Sequence, residues 1–137
     1  MGTGGEIMIH ILLLSHGGMA EGMMQSVRMI MGEQPYLDYV TFDETMGLEA
    51  LDESIGAKLH ADLTANQYLV FCDIIGGTPF NVVSRYSYKN ESIAVIYGMN
   101  LPLLVEALIR RNGEKSLDEL CEYLHRQGKD TIGLSEF

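Results

Sequence analysis

The apolar pattern of this chain changes period again and again along its length. Met8–Leu14 (MIHILLL) is a nearly unbroken apolar run followed by a turn. It is too short for a lone helix and suits a strand buried on both faces. Ala20, Met23, Met24, Val27, Ile30 and Met31 then recur at helical spacing, with Gly32 as a stop. Tyr36–Phe42 (YLDYVTF) is aromatic and β-branched and predicts a second strand. Leu48, Leu51, Ile55, Leu59 and Leu63 mark one stripe of a second helix, and Gln67–Cys72 (QYLVFC) a third strand ending at Asp73. Thr78-Pro79 fits a cap followed by a first-turn proline, opening a helix that runs to about Lys89. Ile93–Tyr97 (IAVIY) is a fourth strand, and Leu101–Arg111 a helix with Pro102 in its first turn. Ser116 and Glu119 form a capping-box pair for a last helix that turns Leu117, Leu120, Cys121 and Leu124 inward and ends at Gly128. Thr131–Leu134 suits one short final strand. Strands alternating with helices predict an α/β fold, a doubly wound, mostly parallel sheet with helices on both faces.

Composition adds three limits. At 137 residues and 47% hydrophobic content the chain is long enough for one compact domain with its own core. Residues 7–137 are taken as that domain, and the Gly-rich residues 1–6 as a flexible tail. With Lys+Arg 9 against Asp+Glu 19, the net charge of −10 disfavours a nucleic-acid or anionic-membrane partner. Nearly all of the imbalance lies before residue 70, where Arg28 and Lys58 are the only bases, so a partner docking there would offer a basic face. No apolar stretch approaches the ~20 residues of a membrane span. Cys72 and Cys121 are too few for a disulfide scaffold and fit buried thiols in a reducing cytoplasm. The Met-rich first helix reads as adaptable core filling rather than a binding surface.

In open parallel sheets, ligands bind at the carboxyl ends of the strands, near the point where chain order reverses. Ser15-His16-Gly17-Gly18 follows the first strand, Asp43-Glu44-Thr45 the second, Asp73-Ile74-Ile75-Gly76-Gly77-Thr78 the third and Gly98-Met99-Asn100 the fourth. A strand order of 2-1-3-4 makes strands one and three neighbours at the reversal and sets His16 beside Asp73. A carboxylate on one ring nitrogen fixes the tautomer, frees the other nitrogen as nucleophile or base, and stabilises positive ring charge. Gly76 and Gly77 let a ligand approach the backbone, Thr78 adds a hydroxyl, and the helix starting there favours an anion. Together these fit a histidine that accepts a phosphoryl group. His10, His60 and His125 follow no strand. No metal or cofactor is called for.

Ser15-His16-Gly17 after an apolar first strand, with Asp73-x-x-Gly76-Gly77-Thr78-Pro79-Phe80-Asn81 after the third, resembles the IIA component of the mannose-type sugar phosphotransferase system. Gly32-Glu33 and Gly98-Met99-Asn100-Leu101-Pro102-Leu103-Leu104 support the resemblance, which covers about residues 7–133. It implies a cytoplasmic phosphocarrier. His16 matches the histidine that takes a phosphoryl group from the carrier HPr and passes it to a IIB component, which acts with membrane IIC and IID components. Asp73 matches its paired carboxylate and Thr78 a residue that helps hold the phosphoryl group. The family also implies a homodimer in which the C-terminal strand, here Thr131–Leu134, crosses to the partner's sheet. Ile74-Ile75 stand where better-known members carry Thr-Trp, which removes a hydroxyl and an aromatic contact. The sequence stops after the IIA portion, so IIB is expected on a separate protein. A related branch serves dihydroxyacetone kinase, but its third-strand loop lacks the Gly-Gly-Thr-Pro-Phe-Asn pattern.

Other readings fit less well. A receiver domain with Asp73 as phosphate acceptor needs an acidic, metal-binding cluster after the first strand. A flavodoxin-like FMN binder needs a hydroxyl-rich loop there, and a serine hydrolase needs a Gly-x-Ser-x-Gly elbow. Ser15-His16-Gly17-Gly18 supplies none of these.

Overall fold

A computed structural model describes residues 8–59, 66–113 and 116–136. The tail expected at residues 1–6, His60 and the stripe member Leu63 lie outside the described residues. The elements run β1 (Met8–His16), α1 (Met19–Met31), β2 (Leu37–Phe42), α2 (Leu48–Leu59), β3 (Asn66–Cys72), α3 (Thr78–Lys89), β4 (Ile93–Tyr97), α4 (Leu101–Arg110) and α5 (Leu117–Gly128). The strands form one parallel sheet in the order β2-β1-β3-β4. This is the doubly wound α/β architecture and the strand order expected from the pattern.

β1 shows why its sequence is apolar at almost every position. Ile9, Ile11 and Leu13 point to one layer, where they pack with Ala20 and Val27 of α1, Leu104 and Leu108 of α4, and Leu120 and Leu124 of α5. Leu12 and Leu14 point to the other, against Leu51 and Ile55 of α2 and Val82 and Val83 of α3. Side chains alternate across a strand, so a strand covered on both sides needs both sets apolar. Each fully buried aliphatic side chain contributes roughly 1.5–3 kcal/mol.

Local signals account for most helix ends. The Asn100 side chain accepts from the Leu103 amide at 3.0 Å, and Ser116 Oγ from the Glu119 amide at 3.0 Å. α1 has no side-chain cap at Gly18; instead Ser15 Oγ, buried at the end of β1, accepts from the Ala20 amide at 2.8 Å. It stops at Gly32, whose φ of 79° suits glycine.

Four expectations need correction. The cap of α3 is Gly77, in extended conformation, and Thr78 is already the first helical residue, so its hydroxyl caps nothing. Thr131–Leu134 forms no strand: Lys129–Thr131 is a 3-10 turn and residues 132–136 have no regular structure. A strand exists only within a ladder, and among the described residues of the single chain this segment pairs with no neighbour. Leu48 and Ile30 are exposed, because the first lies in the opening turn of α2 and the second at the margin of the α1 stripe. The methionines divide: Met23, Met24 and Met31 pack against the core, whereas Met19 and Met29 face solvent.

At the end of the sheet opposite His16, one buried cation holds the chain together. The Arg111 guanidinium donates to the carbonyls of Pro35 (2.5 Å), Tyr36 (3.1 Å) and Ile9 (3.4 Å). Tyr36 is the one non-glycine residue with positive φ (55°) among the described residues. Burial lowers the Arg111 pKa, but an arginine stays charged in any protein. A planar fork reaches carbonyls spread along its width in fixed directions, which a compact ammonium cannot span. Arg111→Met is therefore expected to lower unfolding stability by about 3 kcal/mol, read by urea denaturation, with Arg111→Lys failing to restore it. Wild-type stability in Arg111→Met would refute this role.

Candidate active site

The carboxyl ends of the strands bring four loops to one rim. Parallel register sets His16 directly opposite Phe42 and Leu14 opposite Cys72, so the residue after Cys72, Asp73, arrives beside the end of β1. Asp73 Oδ2 accepts twice from His16: from the backbone amide at 2.8 Å and from ring Nδ1 at 2.8 Å. Asp73 Oδ1 accepts from the Ile74 amide at 2.9 Å. The pair is graded from inside to outside, since the Asp73 side chain is 10% exposed and the His16 side chain 45%.

Two opposing effects set the Asp73 pKa. Burial pushes it up. The hydrogen bonds from the His16 amide, the His16 ring and the Ile74 amide, with the charge of His16, outweigh that and hold the carboxyl below its ordinary value. A carboxylate on Nδ1 favours the tautomer that carries its proton there, in which Nε2 holds the lone pair.

The neighbours fix the rest. The Phe42 ring meets the His16 ring edge-on, centroids 5.8 Å apart and planes at 72°. The Gly17 amide donates to the Phe42 carbonyl at 2.9 Å, tying the two strand ends together. Gly76 adopts φ 79°, which explains glycine there. Asn81 Nδ2 donates to the Gly76 carbonyl at 3.2 Å and so closes the loop onto α3. Among the described residues neither Gly76 nor Thr78 hydrogen-bonds His16, although both adjoin Gly77, which lies against its ring. Ile74 and Ile75 are 55% and 58% exposed beside the pair.

Three contributors escaped the sequence reading. Phe42 was readable from the parallel register, which pairs the last residues of β1 and β2. The roles of Ser15 and Asn81, both within the quoted motifs, depend on side-chain hydrogen bonds that spacing does not reveal. Of the other histidines, His10 and His125 stay outside the site. His10 sits in β1 between the rings of Tyr36 and Tyr68, at 4.7 and 4.9 Å, and His125 lies in α5. Burial is the main cause lowering the His10 pKa; a hydrogen bond with Asn66 opposes it and the charge of Arg111 adds to it. Burial, seconded by Asp73, pushes the Cys72 thiol up to about 12, and burial with Asp118 pushes Cys121 up to about 11, so neither is an activated nucleophile. Among the described residues no helix is long and apolar enough to cross a membrane.

The family model for the PTS system fructose IIA component, EIIA-man, matches residues 10–124. The chain belongs to this family. It is a IIA component of a sugar phosphotransferase system (PTS), in agreement with the resemblance drawn from Ser15-His16-Gly17 and the Asp73 loop. It is 34% identical over 124 residues to the PTS system mannose-specific EIIAB component of Escherichia coli (strain K12), covering 90% of this chain but only 38% of that one. To the PTS system sorbose-specific EIIA component of Lacticaseibacillus casei it is 30% identical over 116 residues, covering 85% of this chain and 83% of that one. Among solved structures, the mannose/sorbose specific IIA subunit from Enterococcus faecalis superposes with a TM-score of 0.86 at 30% identity, covering 95% and 96% of the two chains.

In this IIA component the Asp73 bonds couple protonation to folding. Its folded pKa lies below the unfolded value of about 3.9, so the ionised carboxylate favours the folded chain. That contribution is complete above the unfolded pKa and disappears as pH falls through the folded one. Asp73→Asn removes it. The stability gap between wild type and Asp73→Asn is therefore expected to be constant near neutral pH and to close in acid, as read by denaturant unfolding across pH. A gap that keeps its full size at pH 2 would contradict the assignment.

Proposed function

We propose that this chain is a phosphohistidine carrier that takes a phosphoryl group from phospho-HPr on His16 and delivers it to a IIB component. One observation carries the reading: an exposed imidazole with Nδ1 held at 2.8 Å by a nearly buried carboxylate. The Nε2 lone pair attacks phosphorus in line. A new Nε2–P bond forms as the donor's N–P bond breaks, and the donor imidazole leaves with that electron pair. His16 keeps its Nδ1 proton throughout, so the phosphorylated ring is cationic and Asp73 balances its charge. Delivery reverses the sequence: the IIB nucleophile takes the phosphorus, and the Nε2 electron pair returns to the ring. No metal or cofactor enters either step.

The loop after β3 supports the same chemistry. Gly76, Gly77 and Thr78 are assigned to the phosphoryl oxygens because α3 starts there, and helix-start amides favour an anion. The intact Gly76-Gly77-Thr78-Pro79-Phe80-Asn81 loop favours sugar transport over service to a dihydroxyacetone kinase. Exposed Ile74 and Ile75, with acidic Glu21, Asp43 and Glu44 in the loops and helix of the chain's first half, suit a transient partner that offers apolar and basic groups, the part assigned here to HPr. IIC and IID components are engaged through IIB. Free cysteines and an HPr donor fit a cytoplasmic setting.

A homodimer belongs to this proposal. Among the described residues β4 ends the sheet with an open edge, and a groove of about 550 Å³ runs beside it, lined by Val95, Tyr97, Leu103, Cys121 and Leu124 among others. Ile132 and Leu134, 86% and 96% exposed, are apolar side chains without cover in the single chain. A second copy's C-terminal segment laid along β4 would satisfy both.

Two outcomes test the proposal. Incubated with phosphoenolpyruvate, enzyme I and HPr, the wild-type protein should gain an acid-labile phosphoryl adduct and His16→Ala none. Asp73→Ala should fold but accept phosphoryl on the order of 100-fold more slowly. An adduct on His16→Ala overturns the site. Removing residues 132–137 should convert a dimer to a monomer in sedimentation equilibrium; an unchanged mass overturns the strand exchange.

A further inference from the structure

Gly76 and Gly77 are adjacent, yet the fold needs them to be glycine for different reasons. Gly76 has φ 79° and open space where a Cβ would stand, so its constraint is conformational. Gly77 has φ −78° and ψ 170°, a backbone any residue adopts. Its constraint is steric. A Cβ on Gly77 would lie 2.7 Å from His16 Cε1, 3.4 Å from His16 Nε2 and 3.2 Å from Ile74 Cγ1. The first distance is below any stable carbon–carbon contact.

We infer that Gly77 is a positioning residue for His16: its missing side chain is what lets the imidazole stand over Asp73 with Nε2 free. Its bearing on phosphoryl transfer rests on the function proposed above. The backbone at Gly77 has little freedom to retreat. Its carbonyl accepts from the Asn81 amide at 2.9 Å as the first turn of α3, and the Gly76 carbonyl accepts from Asn81 Nδ2 at 3.2 Å. The ring is tethered on one nitrogen and meets Phe42 along another side. With a methyl group at position 77 the ring is the part that yields. Yielding lengthens the Nδ1–Asp73 bond or turns Nε2 out of line. Ile74 Cγ1 belongs to an exposed side chain and can swing aside.

The test compares four proteins: wild type, Gly77→Ala, His16→Ala and the double variant. Gly77→Ala should lower the thermal midpoint of wild type by clearly more than that of His16→Ala, because the ring clash is present only in the first and the loss at the helix cap is common to both. The Cε1–H NMR signal of His16 and its pH titration should both move in Gly77→Ala. Uptake of phosphoryl from phospho-HPr should fall by about 10–100-fold. Equal destabilisation in both backgrounds, or an unmoved His16 titration, overturns the inference and assigns Gly77 to the helix start alone. A Gly77→Ala protein that fails to fold while the double variant folds supports it; failure of both overturns it. Should His16 take no phosphoryl group in wild type, the transfer reading falls, while the midpoints and the ring signal still decide what Gly77 does.

Discussion

A single carboxylate oxygen joins the site to the fold. Asp73 Oδ2 receives both the backbone amide and the ring nitrogen of His16. One bond extends β1 past its ladder with β3, and the other orients the side chain at its tip. The reactive ring is therefore not an appendage on a loop. Its place is set by the same acceptor that terminates the central strand, and the rest of the rim is arranged around that acceptor. Asp73 reaches it because β3 lies next to β1, which the doubly wound order guarantees.

The electrostatics of the pair follow from its graded burial. A carboxylate left alone at 10% exposure would be pushed toward its neutral form, but three donors hold it ionised. Preorganised donors of this kind cost no rearrangement when charge develops on the ring. The imidazole, far more exposed, remains open to a second protein. Strong internal fixation of one member and solvent access to the other are what a group that must be both oriented and shared requires.

Much of this was legible in the sequence, for identifiable reasons. The strand order and the meeting of His16 with Asp73 followed from short apolar runs alternating with helical stripes, because a parallel sheet gathers its chemistry at one edge. The signals that failed were those decided by one residue's geometry. Thr78 looked like a cap, yet Gly77 takes that place, since a first-turn proline directly after a threonine reads the same in either register. Thr131–Leu134 had strand composition but no strand to pair with in one chain. Arg111, buried against three carbonyls, looks in sequence like any basic residue at a helix end; nothing in spacing announces a guanidinium turned inward.

The double-sided burial of β1 has a consequence for how the chain finds its alignment. In a half-exposed strand, a slip of one residue is punished because apolar side chains emerge into water. Leu13 and Leu14 sit in different layers, and exchanging them would expose nothing. Hydrophobicity alone thus leaves β1 free to slide. What forbids sliding is polar and sits at its two extremities: Arg111 grips the carbonyl of Ile9, and Asp73 grips the amide of His16. The strand is pinned like a string between two pegs, and the peg that sets its pitch is also the one that does the chemistry.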